Sequence, residues 1–215
     1  MHRQLIHKLL NSYAEIWLPG TLSYNSFHEA EEREIWQRFH SFVVEEPQCF
    51  ERHCSYGHIT GSALVVSTDW SQILLLLHRK LNKWLQLGGH SDGHNDPLMV
   101  AQKEAEEESG LVHLKPLAWH KLLPRELLGS LAQTPEMIPF DLDIHTIPAR
   151  GNEGQHYHYD VRFLFQSQDP KALIQANEEA KDLRWIDLKE AENLTQERSM
   201  LRQFEKLRAI RELMT

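Results

Sequence analysis

The sequence predicts an α/β/α sandwich that follows a helical N-terminal extension. Apolar side chains recur at helical spacing before residue 47, whereas strand-like runs begin at residue 57. One well-delimited helix interrupts the strands near residue 100, and an amphipathic stretch from Thr195 to Met214 closes the chain. Strands, one helix, further strands and a closing helix are typical of a sandwich. We therefore divide the 215 residues into an extension, 1–56, and a sandwich domain, 57–215.

Composition and charge describe an ordinary globular protein. Hydrophobic residues make up 41 % of the chain and charged residues 25 %. The formal charge of −8 argues against a nucleic-acid surface, which needs clustered lysine and arginine. No apolar run approaches the roughly 20 residues that span a bilayer, and the first ten residues lack the apolar centre of a signal peptide. The cysteines, Cys49 and Cys54, suit reduced structural roles, so we expect a cytoplasmic protein without nucleic-acid or membrane partners.

Two amphipathic helices are predicted in the extension. The first covers residues 2–17 and ends at Leu18-Pro19-Gly20. The second opens with a capping box from Ser26 to Glu29 and stops before Pro47. Each carries large apolar side chains on one side, which must be buried. We expect them to pack on the sandwich of the same chain; a homodimer contact and a lid over the site remain open alternatives.

Strands are predicted on both sides of the single helix. Their signal is a run of β-branched, aromatic and aliphatic residues between turn residues. A short helix over Arg125 to Leu131 is the one interruption in the later part. The predicted strands cover Ile59 to Ser67, Gln72 to His78, Trp84 to Leu87, Val112 to Lys121, Phe140 to Ile147 and Gln155 to Phe165.

The helix near residue 100 carries the clearest chemical signal. Asp96-Pro97 supplies an N-cap and a first-turn proline, and Gly110 ends the helix. At helical spacing, Glu104, Glu107 and Glu108 fall within one arc of about 100°. Converging carboxylates need a cation among them, and Mg²⁺ or Mn²⁺ prefers such oxygen ligands. A solvated acidic face is the alternative interpretation of the same residues.

The stretch from Gly89 to Leu111 resembles the Nudix box, whose pattern is Gly, five residues, Glu, seven residues, Arg-Glu-apolar-any-Glu-Glu-any-Gly-apolar. Asn95 stands where the family has its first glutamate, and Lys103 stands where it has arginine. Lysine keeps the charge of arginine without its planar fork. The positions in register are Gly89, Glu104, Ala105, Glu107, Glu108, Gly110 and Leu111.

This resemblance implies a Nudix-type α/β/α sandwich with a mixed sheet over the domain at 57–215. It also implies a Mg²⁺- or Mn²⁺-dependent pyrophosphohydrolase that cleaves a nucleoside diphosphate linked to another moiety. The metal ligands would be Glu104, Glu107 and Glu108 with the carbonyl of Gly88. Glu179, in a polar loop before a tryptophan, is carried over as a further ligand or catalytic base. Because Asn95 and Lys103 depart from the pattern, a weakened Nudix-fold nucleotide-binding or sensor module is the alternative.

Candidate substrate contacts lie in two places. Gly89, His90 and Lys103 belong to the box, beside the expected metal. His156, His158 and Asp160 alternate along a strand, so they share one side. A solvated strand face and a histidine metal site are the competing interpretations. We expect these groups to line the substrate cleft without a structural zinc, because the two cysteines precede the sheet and a structural zinc needs four ligands.

Overall fold

The computed structural model describes residues 2–19, 25–112, 114–134, 137–151, 153–168, 174 and 180–214. No helix in these ranges has the length and apolarity needed to cross a membrane. The α-helices are α1 (Gln4–Trp17), α2 (Asn25–Glu45), α3 (Pro97–Ser109), α4 (Arg125–Leu128), α5 (Leu188–Leu194) and α6 (Arg198–Met214). The strands are β1 (Gly57–Val66), β2 (Gln72–His78), β3 (Trp84–Leu85), β4 (Leu87–His90), β5 (Lys115–Pro116), β6 (Asp141–Ile147), β7 (His156–Gln166) and β8 (Ala180–Asp187).

A parallel pair, β1 and β7, forms the centre of a mixed sheet. Ten residue pairs from Gly57↔Tyr157 to Val66↔Gln166 define their register. All other strand pairs are antiparallel: β1 with β2 and β4, β7 with β5 and β6, and β2 with β3 and β8. Helix α3 contacts β1 and β4, whereas α6 reaches β7 through Arg162, which bonds Ser199. The predicted sandwich with a mixed sheet and an N-terminal helical segment is confirmed.

Close packing of α3 on the sheet depends on Gly61. A Cβ atom at this position would lie 2.3 Å from the carbonyl oxygen of Pro97 and 3.1 Å from the amide nitrogen of Ala101. The helix begins as predicted, because the Asp96 carboxylate accepts hydrogen bonds from the amides of Leu98 and Met99. It ends at Gly110, whose φ of 68° is left-handed. The backbone of α3 is therefore held directly against β1.

The opposite side of the sheet buries a cluster of charges under α6. Asp141 accepts hydrogen bonds from Arg162 at 3.1 Å, from Arg202 at 2.9 and 3.0 Å, and from Lys206 at 2.7 Å. Asp143 accepts further bonds from Arg162 at 2.9 Å and Arg202 at 3.2 Å. Burial acts to raise the pKa of Asp141, but Arg202 and Lys206 outweigh it and hold that pKa well below its usual range. The carboxylates are thus ionised and fully paired.

The N-terminal helices join this charge cluster. Lys206 donates to the Tyr13 hydroxyl at 2.6 Å and lies 2.8 Å from a Glu32 oxygen, and Tyr13 also donates to Glu32. The Trp17 ring packs on Trp119, with 5.1 Å between the ring centroids. The apolar side of α1 is therefore buried within the same chain, as expected. A homodimer contact through these helices and an independent boundary at residue 56 stay predictions.

Three parts of the predicted secondary structure differ from the structure. The strand expected over Val112 to Lys121 is reduced to β5, because Pro116 cannot donate to a ladder and Trp119 turns inward to donate to the Ile138 carbonyl. Strand β8 and helix α5 were not predicted. In β8 the buried residues Ala180, Leu183 and Ile186 are three apart, so the sequence lacks strand alternation. The single strand predicted over Trp84 to Leu87 is divided at Gln86 into β3 and β4, and β4 extends through Gly88 and Gly89.

Both cysteines, Cys49 and Cys54, are free and buried, in agreement with reduced structural roles. Burial raises the pKa of the Cys49 thiol to about 12, so it stays protonated. A protonated, buried thiol is a poor nucleophile and a poor metal ligand. These residues act as small apolar side chains in the core.

We expect Asp141→Asn to lower the free energy of unfolding by about 3–5 kcal/mol, because the buried cations lose an ionised partner. Urea denaturation followed by tryptophan fluorescence measures this loss. The matched control is Glu29→Gln, which removes one partner of an exposed pair with Arg33 and should cost less than about 1 kcal/mol. Because the folded-state pKa of Asp141 is depressed, its contribution is lost as the pH falls below about 4. Equal effects of the two substitutions would contradict the assigned role of Asp141.

Candidate functional site

The glycine pair of β4 brings the strand against the carboxylates of α3. Gly89 pairs with Gly61 across the β1–β4 ladder, so both face α3. The amide of Gly88 donates to Glu108 at 2.9 Å. Glu108 is only 7 % exposed, and this backbone contact fixes its carboxylate beside the strand. Glu108, one of the three predicted metal ligands, is therefore held by the amide of Gly88, whose carbonyl was predicted as a further ligand.

Gly89 makes room for the second carboxylate. A Cβ atom there would lie 2.5 Å from an Oε atom of Glu104 and 2.6 Å from its Cδ. Any side chain at this position would displace the carboxylate. Glu104 is half-buried and Glu107 is exposed, with side-chain exposures of 25 % and 58 %. The two therefore reach solvent beside β4, where a substrate can approach.

Lys103 occupies the place of the family arginine and bridges two glutamates. Its ammonium donates to Glu104 at 3.1 Å and to Glu107 at 3.0 Å. Hydrogen bonds to Glu107 and Glu104 raise the pKa of Lys103, so the cation is retained. Asn95, at the position of the first glutamate, donates instead to the backbone carbonyl of His2 at 3.3 Å. The lysine thus keeps the pairing role, whereas the asparagine contacts the N-terminal segment.

The donor set fits a hard divalent cation. Carboxylate oxygens of Glu104, Glu107 and Glu108 share one side of α3, and oxygen ligands of this kind are what Mg²⁺ and Mn²⁺ prefer. Gly89 has no side chain, so the space that a Cβ atom would fill beside Glu104 stays open. The carboxylate of Glu104 is therefore accessible next to the strand. Glu179, the additional predicted ligand or base, lies outside the described residues.

The predicted residues of β7 lie on the other face of the sheet. Gly89 faces α3 and successive side chains alternate, so His90 faces away from it. The ring of His90 lies 4.9 Å from that of His158, centroid to centroid. The parallel register sets His58 beside His158 on this same face. The predicted histidines therefore gather with His90, but across the sheet from Glu104.

Asp160 is enclosed by partners from the protein. Its carboxylate accepts hydrogen bonds from Thr60 at 2.9 Å, Ser62 at 2.7 Å, Gln86 at 3.2 Å and Arg162 at 2.7 Å. It is 1 % exposed, so this part of the strand is not a solvated face. Its predicted contact with a substrate stays a prediction. The observed contacts favour a role in joining β7 to β1 and in fixing Arg162.

The structure adds His58 to the group, which the sequence analysis did not single out. One ring nitrogen from each of His58, His156 and His158 can be chosen so that the three lie within 4.8 Å of one another. Burial lowers the pKa of His58 to about 4 and that of His158 to about 2, with nearby histidines adding to the effect. Both imidazoles are therefore neutral at physiological pH. The adjacent His145 of β6 pairs with His158.

Sequence comparison assigns the fold to a family. The family model described as NUDIX domain matches residues 58–207. The chain belongs to the Nudix family. The predicted enzyme class, a phosphoanhydride hydrolase of this family, is thereby confirmed in general terms. No curated protein sequence matches the chain significantly.

Three solved hydrolase structures are similar to this chain. A Caenorhabditis elegans Ap4A hydrolase in a binary complex aligns with a TM-score of 0.51 and 16 % identity, over 72 % of this chain and 97 % of that one. A Nudix hydrolase from Clostridium perfringens aligns with a TM-score of 0.46 and 26 % identity, over 70 % and 96 % of the two chains. An Escherichia coli dihydroneopterin triphosphate pyrophosphohydrolase aligns with a TM-score of 0.48 and 16 % identity, over 73 % of this chain and 94 % of that one.

Gly89→Ala should lower kcat/KM by roughly 10²-fold, because the new methyl group displaces the Glu104 carboxylate. The melting temperature should change little, since a flexible side chain and not the backbone must move. Gly154→Ala is the matched control, because a Cβ there meets no atom within 4 Å. Steady-state kinetics and thermal unfolding of both variants check this expectation. Full activity in Gly89→Ala would show that Glu104 is not needed in its present position.

Lys103→Arg should raise metal affinity several-fold, because a planar guanidinium fork would fix the carboxylates of Glu104 and Glu107 in orientation more firmly than the single ammonium that bridges them now. Titration with Mn²⁺ by calorimetry measures the change. Lys121→Arg makes the same substitution at an exposed position outside the box and should leave the affinity unchanged. Unchanged or weaker binding in Lys103→Arg would mean that the site is built around the lysine.

Proposed function

We propose that this Nudix protein is a Mg²⁺- or Mn²⁺-dependent pyrophosphohydrolase acting on a nucleoside diphosphate linked to another moiety. Candidate substrates are nucleoside triphosphates, nucleotide sugars and dinucleotides. The observation that carries the proposal is the contact of the Gly88–Gly89 strand with Glu104 and Glu108. It sets a backbone without side chains beside carboxylates, which leaves room for the phosphates of a substrate.

The proposed metal residues are Glu104, Glu107, Glu108 and the carbonyl of Gly88. A divalent cation bound there would neutralise phosphate charge and make water a stronger nucleophile. A carboxylate of this group, or Glu179, accepts the proton as water attacks phosphorus, and the bridging P–O bond of the phosphoanhydride breaks to release the second phosphate-bearing product. Lys103 orients Glu104 and Glu107 through its two hydrogen bonds. Its ammonium also offers a positive charge to a phosphate oxygen.

The residues predicted to contact substrate lie on two different faces of the sheet. Gly89 and Lys103 lie beside the carboxylates, and we keep them in the proposed phosphate site. His90, His156 and His158 lie across the sheet, so a contact with the same phosphates requires a substrate that extends around β4. That contact stays a prediction. We further propose a cytoplasmic location, which the free, buried Cys49 and Cys54 support.

A nucleotide-binding or sensor module is the second candidate. The observation that favours it is Asn95, which contacts His2 and leaves the place of the first family glutamate without a carboxylate. The retained carboxylates of α3 favour the hydrolase, because one ammonium, that of Lys103, does not balance three acidic groups on one side of a helix. Metal-dependent binding of a nucleotide without any turnover would support the module instead.

The test is product release from a substrate panel with and without Mg²⁺ or Mn²⁺. The panel should include nucleoside triphosphates, nucleotide sugars and Ap4A, the compound named for the similar C. elegans enzyme. Chromatography of the nucleotide products shows which phosphoanhydride bond is cleaved. Turnover that depends on the metal is the expected result. Its absence across the panel, with intact folding, would overturn the hydrolase proposal.

Glu104→Gln and Glu108→Gln should each lower turnover by orders of magnitude while leaving the fold intact, because the amide keeps the shape and removes the charge. Kinetics at saturating Mg²⁺ and circular dichroism measure both properties. Glu106→Gln is the matched control on the same helix, since Glu106 bonds Gln102 and the Leu114 amide and faces away from the trio. Near wild-type turnover in either test variant would refute the metal assignment.

A further inference from the structure

A group of histidines lies on the sheet face opposite α3, away from the carboxylates of the proposed hydrolysis. His58 lies near the start of β1, and His156 and His158 lie on β7. The rings of His58 and His158 are 4.8 Å apart, centroid to centroid. His156 lies 5.1 Å from His58 and 5.4 Å from His158 by the same measure. The three rings thus surround one point, at the start of the parallel strand pair.

Unsatisfied ring nitrogens mark this point as a binding site. Both nitrogens of His58 and Nε2 of His158 are buried, and they have no hydrogen-bond partner within the part of the chain that the structure describes. His58 is 2 % exposed, so water does not reach its ring freely. Buried polar groups in proteins almost always have partners, and unpaired ones indicate a missing water or ion. Two unpartnered imidazoles whose centroids lie 4.8 Å apart can therefore each offer a nitrogen lone pair to a bound metal ion.

Neighbouring groups orient the rings as metal ligands require. Nδ1 of His156 lies 2.9 Å from the carbonyl oxygen of Gly154, so it donates its proton there and leaves Nε2 free. Metal-binding histidines usually make such a bond with their second nitrogen. His145, 2.9 Å from Asp143 through Nδ1, packs against the His158 ring on another side. The cluster is thus held from β6 as well as from β1 and β7.

We propose that His58, His156 and His158 bind a divalent transition metal ion, with Zn²⁺ the expected occupant, on the sheet face opposite the Nudix carboxylates. Imidazole nitrogen suits zinc, whereas Mg²⁺ requires oxygen. Zinc–nitrogen bonds of about 2.1 Å place two ligands of a tetrahedral site roughly 3.4 Å apart. The present ligand atoms lie within 4.8 Å of each other, so small ring rotations close the site. Three protein ligands leave a fourth position for water or an added ligand.

Cleft-lining roles were expected for His156 and His158 because the sequence offers no fourth ligand for a structural zinc. A three-histidine site does not need one, since an open fourth position is usual where zinc is not purely structural. The missing member was His58, which lies 98 positions before His156 in the chain and becomes its neighbour only through parallel pairing. The zinc site is independent of the proposed hydrolysis, because the zinc ligands lie on the other face of the sheet.

The test measures zinc bound by the full-length protein from which any histidine tag has been removed. The protein is stripped with a chelator, returned to saturating Mg²⁺ to fill the carboxylate site, titrated with ZnCl₂ and dialysed. Metal analysis should then find one zinc per chain. His156→Ala and His158→Ala should weaken zinc binding by more than the 10- to 100-fold typical of losing an outer partner. Absence of retained zinc in the wild type would overturn the proposal.

Two control variants separate this site from others. His7→Ala removes a histidine of α1 whose ring packs on His40 of α2. This variant should retain one zinc. Glu104→Gln should also retain it, whereas a loss of zinc in this variant alone would place the ion at the Nudix carboxylates and refute the histidine site. X-ray absorption of the zinc-loaded wild type needs no variant. Imidazole scattering with nitrogen at about 2.0–2.1 Å is expected, and an oxygen-only shell would refute the site.

Discussion

The charge balance around Asp141 is the interaction on which the rest of the structure depends. It joins elements from every part of the chain: β6 supplies the carboxylate, β7 supplies Arg162, and α6 supplies Arg202 and Lys206. Glu32 of α2 faces the same ammonium. Each of these charges is nearly inaccessible to water. Desolvation makes such a cluster costly unless every member is paired, so the arrangement permits little alternative packing. It specifies one position for α6 and, through Tyr13 and Glu32, one position for the N-terminal helices.

With one face of the sheet occupied by this cluster, the other face is free for the chemistry of α3. The helix approaches closely because Gly61 and Gly89 lack side chains where it crosses β1 and β4. A rigid strand and a capped helix then hold Glu104 and Glu108 with little freedom. Preorganised carboxylates of this kind do not need to be rearranged when a cation binds. The same two glycines thus account for both the packing of the sandwich and the position of its candidate active site.

The sequence was sufficient for features that depend on local geometry. The period of a helix alone sets Glu104, Glu107 and Glu108 on one side, and Asp96 and Gly110 delimit that helix without any tertiary information. Strand alternation likewise assigned His156, His158 and Asp160 to one face. It could not say what encloses Asp160, because two of its partners, Thr60 and Ser62, lie 100 and 98 residues earlier in the chain. His58 was missed for the same reason: the register of a parallel pair is not encoded in either strand alone.

The separation in sequence between partners has a consequence for folding. Tyr13 meets Lys206 across 193 residues, and Ser62 meets Asp160 across 98. Chains dominated by such distant contacts fold slowly, since long loops must close before the contacts stabilise them. During synthesis, α1 and α2 emerge before α6, with aromatic side chains and acidic groups whose partners lie on that helix. Until α6 leaves the ribosome these surfaces are uncovered, and the nascent chain carries an apolar surface of the kind that chaperones recognise.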